Sequence, residues 1–319
     1  MSIQRYLIFL FLFLGILLTL GFGYMFHFHK YYPIPLTERI SFDAKLKFVR
    51  EHIDPDKVDT MIIGSSIGLN DLLGTELEKD SQKVKYAVNM SVYGATTLQA
   101  EQLMELRKTF PNLKRILYSV QYSDTPHNWK FKNYKPKKLI RYMRQEQNLI
   151  EYFFTVIDAC SNIPFCYKRS QSWEHDHMHK NIFESLLFDA SGSVPLYIYG
   201  KDVIGHRWRL AQPNIMSGNS FKAIKKMAQT AKDAGVEYYV VHQPYRKELY
   251  AKHDFVRAAI AKFDELALEA LKNSCGHLIK TQHLGLHGNK YFADRTHLNV
   301  DGSKVVSEYI AKQIDKIEK

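Results

Sequence analysis

The chain has 319 residues, 45% hydrophobic and 24% charged, enough apolar material for one large core or two small ones and too much for wholesale disorder. Its three cysteines exclude a disulfide-dense scaffold and a four-cysteine zinc site. A net charge of +11 leaves nucleic-acid binders, membrane-surface proteins and handlers of anionic substrates in contention.

Tyr6 to Phe26 (YLIFLFLFLGILLTLGFGYMF) form a run of 21 residues without a charge. As a helix the run is about 31 Å long, the thickness of a bilayer core. A signal-peptide apolar region is shorter, about 7–15 residues, and ends in a small-x-small cleavage site. This run ends in Gly21, Gly23, Tyr24, Met25 and Phe26 without that pattern. Residues 1–30 are therefore expected to be a retained anchor, crossing the membrane through 6–26. Arg5 before the run and Lys30 after it nearly tie in positive-inside counting, which permits a domain outside the cytoplasm. An extracytoplasmic domain, periplasmic or on the outer face, is the expectation.

Residues 31–56 connect anchor and domain. Ile40, Phe42, Leu46, Phe48 and Val49 fall near helical spacing and predict a helix over 38–53. From residue 57 to 319 strand and helix patterns alternate. Strands are expected at 58–64, 84–90, 113–122, 236–243 and 277–283, and helices at 68–79, 97–110, 220–235, 255–273 and 301–317. One helix between successive strands argues for an α/β domain with a parallel sheet and helices on both faces. Residues 124–215 break the alternation and read as an insertion that covers or extends the site.

Ligands of an open parallel sheet bind beyond the carboxyl ends of its strands. Gly64, Ser65 and Ser66 follow the first strand, and Asp294 and His297 precede the last helix. A serine at a strand-to-helix turn sits where backbone N–H groups stabilise an oxyanion. It needs a base, usually histidine, and the histidine needs a carboxylate to fix its tautomer. Asp294 and His297, three apart, can share one side of a turn.

These residues resemble the blocks of the SGNH (GDSL-like) hydrolase superfamily. Its Gly-Asp-Ser block corresponds to Gly64-Ser65-Ser66, which implies Ser66 as nucleophile, with Ser65 the competitor. Its Asp-x-x-His block corresponds to Asp294-Arg295-Thr296-His297, followed by the customary Leu-Asn. The resemblance implies a three-layer α/β/α sandwich and an oxyanion hole from the Ser66 and Gly94 N–H groups. The Gly-x-Asn-Asp block departs: here the chain reads Ser119-Val120-Gln121-Tyr122, and Gln121 is the candidate replacement donor. Serine in the second place of the first block, behind one N-terminal anchor, looks like the membrane-anchored branch. That branch contains alginate acetylation proteins, peptidoglycan O-acetyltransferases and the D-alanylation protein of teichoic acids. The resemblance implies acyl transfer to, or acyl-ester cleavage from, an envelope polysaccharide, with a multispanning membrane acyltransferase as partner. The alternative is a non-catalytic tethered domain that binds polysaccharide or scaffolds such an acyltransferase. No cofactor, metal or nucleic acid is expected.

Four further features stand out in the chain. His242, Tyr245 and Arg246 follow the fourth strand and are candidate substrate contacts. His175, His177 and His179 alternate, so on a strand they share a face suited to a metal, whereas a polar loop is the plainer reading. Cys160 and Cys166 are expected to lie close enough for a bond in an oxidising compartment, leaving Cys275 free. Lys130, Lys132, Lys135, Lys137, Lys138, Arg141 and Arg144 form a basic run for anionic polymer or lipid headgroups, or a solvated face.

Overall fold

The structure, a computed structural model, describes residues 3–160, 162–203 and 216–318. Part of the expected insertion, 204–215, thus lies outside the described residues. The chain opens with α1 (Ile3–Tyr31) and α2 (Ile40–His52), then β1 (Thr60–Gly64), α3 (Ser66–Asp71), α4 (Gly74–Asp80), β2 (Ala87–Asn89), α5 (Thr97–Leu103) and β3 (Arg115–Val120). The inserted region contributes α6 (Pro136–Met143), α7 (Leu149–Cys160) and α8 (Ile163–Met178). There follow α9 (Gly218–Asp233), β4 (Glu237–His242), α10 (Lys247–Lys252), α11 (Asp254–Leu271), β5 (Gly276–Lys280), α12 (Gly288–Tyr291) and α13 (Val300–Ile317).

The five strands form one parallel sheet in the order β2-β1-β3-β4-β5. Parallel neighbours require long crossovers, which the intervening helices supply. The chain steps one way from β1 to β2 and the other way from β1 to β3, so a crevice opens at their carboxyl ends. Gly64 pairs with Ser119 there. A Cβ on Gly64 would stand 2.3 Å from the Ser119 carbonyl oxygen, so only glycine lets β1 end this close to β3.

Strand side chains alternate between two apolar clusters. Met61, Ile63, Ile116, Tyr118, Tyr238 and Val240 join one cluster, with Ile224 and Met227 of α9 and Phe263 of α11. Ile62, Leu117, Tyr239 and Val241 join the other, with Val306, Ile310 and Ile314 of α13. Fully burying each such side chain contributes about 1.5–3 kcal/mol.

The segment expected as one helix over 68–79 is two, α3 and α4, joined at Leu72–Leu73. The helix expected at 97–110 starts at a Thr96–Gln99 capping box and tightens to a 3-10 helix from Met104. The connecting helix α2 is a core element: Phe42, Leu46 and Val49 are fully buried. Its Asp43 pairs with Arg169 of α8, and its Lys45 ammonium donates to the Gly192 carbonyl. At the N-terminus, Ile3–Tyr24 has a mean hydropathy of 2.4 with none of it buried, one helix long and apolar enough to cross a membrane.

Two secondary readings change. His175 and His177 lie on helix α8, where alternate positions do not share a face, and they stack on His179 and Trp173 respectively. Cys160 and Cys166 do meet, in a small cluster with Tyr32, but both thiols are free. Burial pushes the Cys160 thiol up, which disfavours the thiolate that bond formation needs.

Candidate active site

The turn after β1 presents two serines that do different things. Ser65 is the N-cap of α3: its Oγ accepts from the Ile67 N–H at 3.1 Å, and its hydroxyl bonds the Asp124 carboxylate. That use of both lone pair and proton turns Ser65 aside. Ser66, one residue on, has its Oγ 2.9 Å from His297 Nε2. The ring's other nitrogen, Nδ1, is 2.8 Å from Asp294 Oδ2.

Asp294 is fully buried, and its second oxygen accepts the backbone N–H groups of Thr296 and His297, both at 2.7 Å. The three-residue spacing works because one carboxylate closes the turn with one oxygen and orients the imidazole with the other. With a carboxylate accepting at Nδ1, that nitrogen carries the proton and Nε2 turns its lone pair to Ser66.

Burial alone would lower the His297 imidazole, but the Asp294 charge and hydrogen bond outweigh it and hold the ring above its ordinary 6.5, with Asp71 and Asp124 adding to the effect. Burial likewise raises the Asp294 carboxyl, yet His297 and the two N–H donors carry it below the usual range. The pair therefore favours an ionised acid beside a histidine ready to hold a proton.

Gly94 lies in the left-handed region at φ +63°, in the loop after β2. This loop runs beside the serine turn: the Val92 N–H donates to the Gly64 carbonyl at 3.1 Å, and the Arg39 guanidinium donates to the Tyr93 carbonyl at 2.6 Å. The Ser66 N–H stands in the first turn of α3, where a helix offers it no partner.

Other candidates serve differently. Gln121 is fully buried, and its amide nitrogen donates to the Pro244 and Thr296 carbonyls at 3.0 and 3.1 Å. Both of its protons are used in bracing the loop after β4 against the Asp-x-x-His turn. His242 and Tyr245 likewise have their side chains turned to partners inside the fold. His242 is buried with Nδ1 2.7 Å from Asp264 Oδ1 on α11 and its ring against Phe263. Tyr245 is fully buried, stacks on Tyr122 and accepts the Tyr122 N–H at 2.7 Å. Arg246 reaches the site's edge: it donates to Asn289 Oδ1 at 3.1 Å and to the Asp294 carbonyl at 3.5 Å, over the Phe292 ring.

Several residues that sequence reasoning passed over shape the site. Asp71, at the end of α3, accepts the Leu298 N–H at 3.0 Å and ties the serine helix to the residue after His297. Nothing in the short segment Ser66–Asp71 (SIGLND) marked this acid out before the fold buried it. Asp124 accepts the Gln121 N–H at 3.0 Å as well as the Ser65 hydroxyl, and burial raises its carboxyl to about 6 despite those bonds. Asn70 donates to the Val194 carbonyl at 2.8 Å and to the Tyr93 hydroxyl at 3.1 Å, joining the inserted region to the loop of Gly94. Phe183, also inserted, sets its ring edge-on to His297 at 6.0 Å. Asn70 follows the first strand, where a site is expected, but no signal in the sequence tied Phe183 to it.

A cluster of three or more histidine, cysteine or acidic side chains able to hold a metal is absent among the described residues. The arrangement can do nucleophilic acyl chemistry: a hydroxyl, a base on its proton and an acid fixing the base. Compared with protein-family models and with curated proteins, the chain matches none.

Proposed function

We propose that this chain is a membrane-anchored acyltransferase or esterase of the SGNH-hydrolase type, built as a three-layer α/β/α sandwich and working outside the cytoplasm on acyl esters of an envelope polysaccharide. The observation that carries the reading is the unbroken hydrogen-bond chain from Asp294 through His297 to Ser66 at the carboxyl edge of the sheet.

In this reading Ser66 Oγ attacks the acyl carbonyl while His297 Nε2 takes its proton. Asp294 stabilises the imidazolium, and the Ser66 and Gly94 N–H groups meet the oxyanion. The imidazolium then protonates the leaving alkoxide and a Ser66 ester remains. A sugar hydroxyl or water, deprotonated by His297, attacks that ester and restores the serine. A multispanning membrane acyltransferase is the partner that would supply acyl groups across the bilayer. Full-length protein assayed with a short-chain aryl ester tests the chemistry: Ser66→Ala should lower turnover by about 10⁴-fold or more.

A second reading, a tethered scaffold without chemistry, draws on one observation: the third-block donor is replaced by Gln121, whose amide is spent on structure. Equal turnover by the parent and Ser66→Ala proteins would favour it.

A further inference from the structure

We propose that α7 lies in the membrane surface beside α1, as a second contact that fixes the height and tilt of the domain over the bilayer. Helix α7 (Leu149–Cys160, LIEYFFTVIDAC) is apolar on two sides. Tyr152, Val156 and Cys160 face inward and are buried. Ile150, Phe154 and Ile157, at helical spacing on another side, are 68%, 62% and 41% exposed, and Leu149 precedes them at 71%. A helix at a water surface carries polar residues there, and a helix apolar on both sides needs a second apolar medium.

The occupant is fixed by continuity with α1. Phe153, between the two sides of α7, packs its ring 4.9 Å from that of Phe22. Phe22 belongs to Ile3–Tyr24, the segment long and apolar enough to cross a membrane. Where that segment is in lipid, a helix touching its last turns stands at the bilayer boundary. The bordering polar groups agree: Lys138 lines one shallow groove with Phe154, Thr155, Ile157 and Asp158, and its ammonium is 3.7 Å from the Asp158 carboxylate. An apolar face edged by a Lys138–Asp158 ion pair places polar groups at headgroup level and apolar ones against acyl chains. The inference rests on α1 crossing the membrane and is independent of the acyl chemistry.

The test uses the full-length chain in nanodiscs of phosphatidylcholine and phosphatidylglycerol, with and without dibrominated acyl chains. Phe154→Trp and Ile157→Trp report on α7, Phe11→Trp on α1, and the parent emission is subtracted. An amphipathic helix sits about 5–10 Å into the headgroup–acyl boundary, so the added emission of the two α7 variants should fall about twofold in brominated discs and resist iodide. Bromolipid quenching of the Phe11→Trp variant, with the two α7 variants quenched by iodide alone, would overturn the proposal and leave the anchor intact. An indole in the Phe154→Trp variant shielded from both quenchers would also overturn it, because protein and not lipid would then cover the face. Bromolipid failing to quench any of the three variants would overturn anchor and proposal together.

Discussion

His297 Nε2 lies 2.9 Å from Ser66 Oγ although the two residues are separated by 231 positions in the chain. Groups outside the triad enforce that meeting. The Leu298 N–H reaches back to Asp71 on the serine helix at 3.0 Å, and the Ser303 hydroxyl donates to the Asn70 carbonyl at 3.0 Å. The lead-in to α13 and the turn after β1 are thereby held as one piece.

Asp71→Ala should therefore misplace the histidine without touching substrate. A misplacement of about 1 Å costs on the order of 10²-fold in rate, so kcat should fall by that much with KM little changed. Asp71→Asn keeps an acceptor for Leu298 and should restore most of the activity. Steady-state kinetics on both variants, with circular dichroism to confirm folding, reads this out.

In the proposed reaction the working form of His297 is the neutral base. Because Asp294 holds the imidazole above its ordinary 6.5, the ring stays protonated to a higher pH than a free histidine. Activity should rise with pH through a midpoint above 6.5. Asp294→Asn withdraws the charge that lifts the imidazole, so the midpoint of its residual activity should move down, while kcat drops about 10⁴-fold as the tautomer is lost. A pH–rate profile of kcat/KM for both proteins checks both signs.

Gln121→Met separates bracing from catalysis. If the amide's work is to bond the Pro244 and Thr296 carbonyls, removing it leaves two buried acceptors unpaired, at about 1–3 kcal/mol each. Thermal and denaturant unfolding should reveal that loss. A variant of parental stability with kcat reduced by about 10²–10³-fold would instead identify an oxyanion donor.

The Asp43–Arg169 pair ties α2 to α8, with the Asp43 side chain fully buried. Truncating one partner of such a pair strands the other charge, so Asp43→Ala should destabilise the fold by about 3–5 kcal/mol. Chemical denaturation measures it. Replacing both residues by apolar side chains should cost less than the single change.

The first four strands were legible because each holds a short apolar run, the fifth from its place after a helix, and the Asp-x-x-His turn because its spacing has a local physical use. What the sequence hid were relationships set by which side of an element faces where. His242 stands at a strand end like a site residue, but it shares parity with Tyr238 and Val240 and so points into the cluster under α11. Asp71 and Asp124 read as ordinary polar residues until the fold buries Asp71 against the turn of His297 and sets Asp124 against Ser65. Gln121 was matched by position to a donor, yet the two carbonyls it bonds lie 123 and 175 positions away. The exposed apolar side of α7 was invisible in composition, because an apolar helix inside an α/β domain is the ordinary case.

The most direct test is to label the full-length protein with a fluorophosphonate, which reacts with an activated serine hydroxyl, and to locate the adduct by fragment-ion mass spectrometry. The expected result is an adduct on Ser66, kept in Ser65→Ala and lost in Ser66→Ala and His297→Ala. An adduct on Ser65, or none on the parent protein across the pH range where His297 is neutral, would contradict Ser66 as the nucleophile.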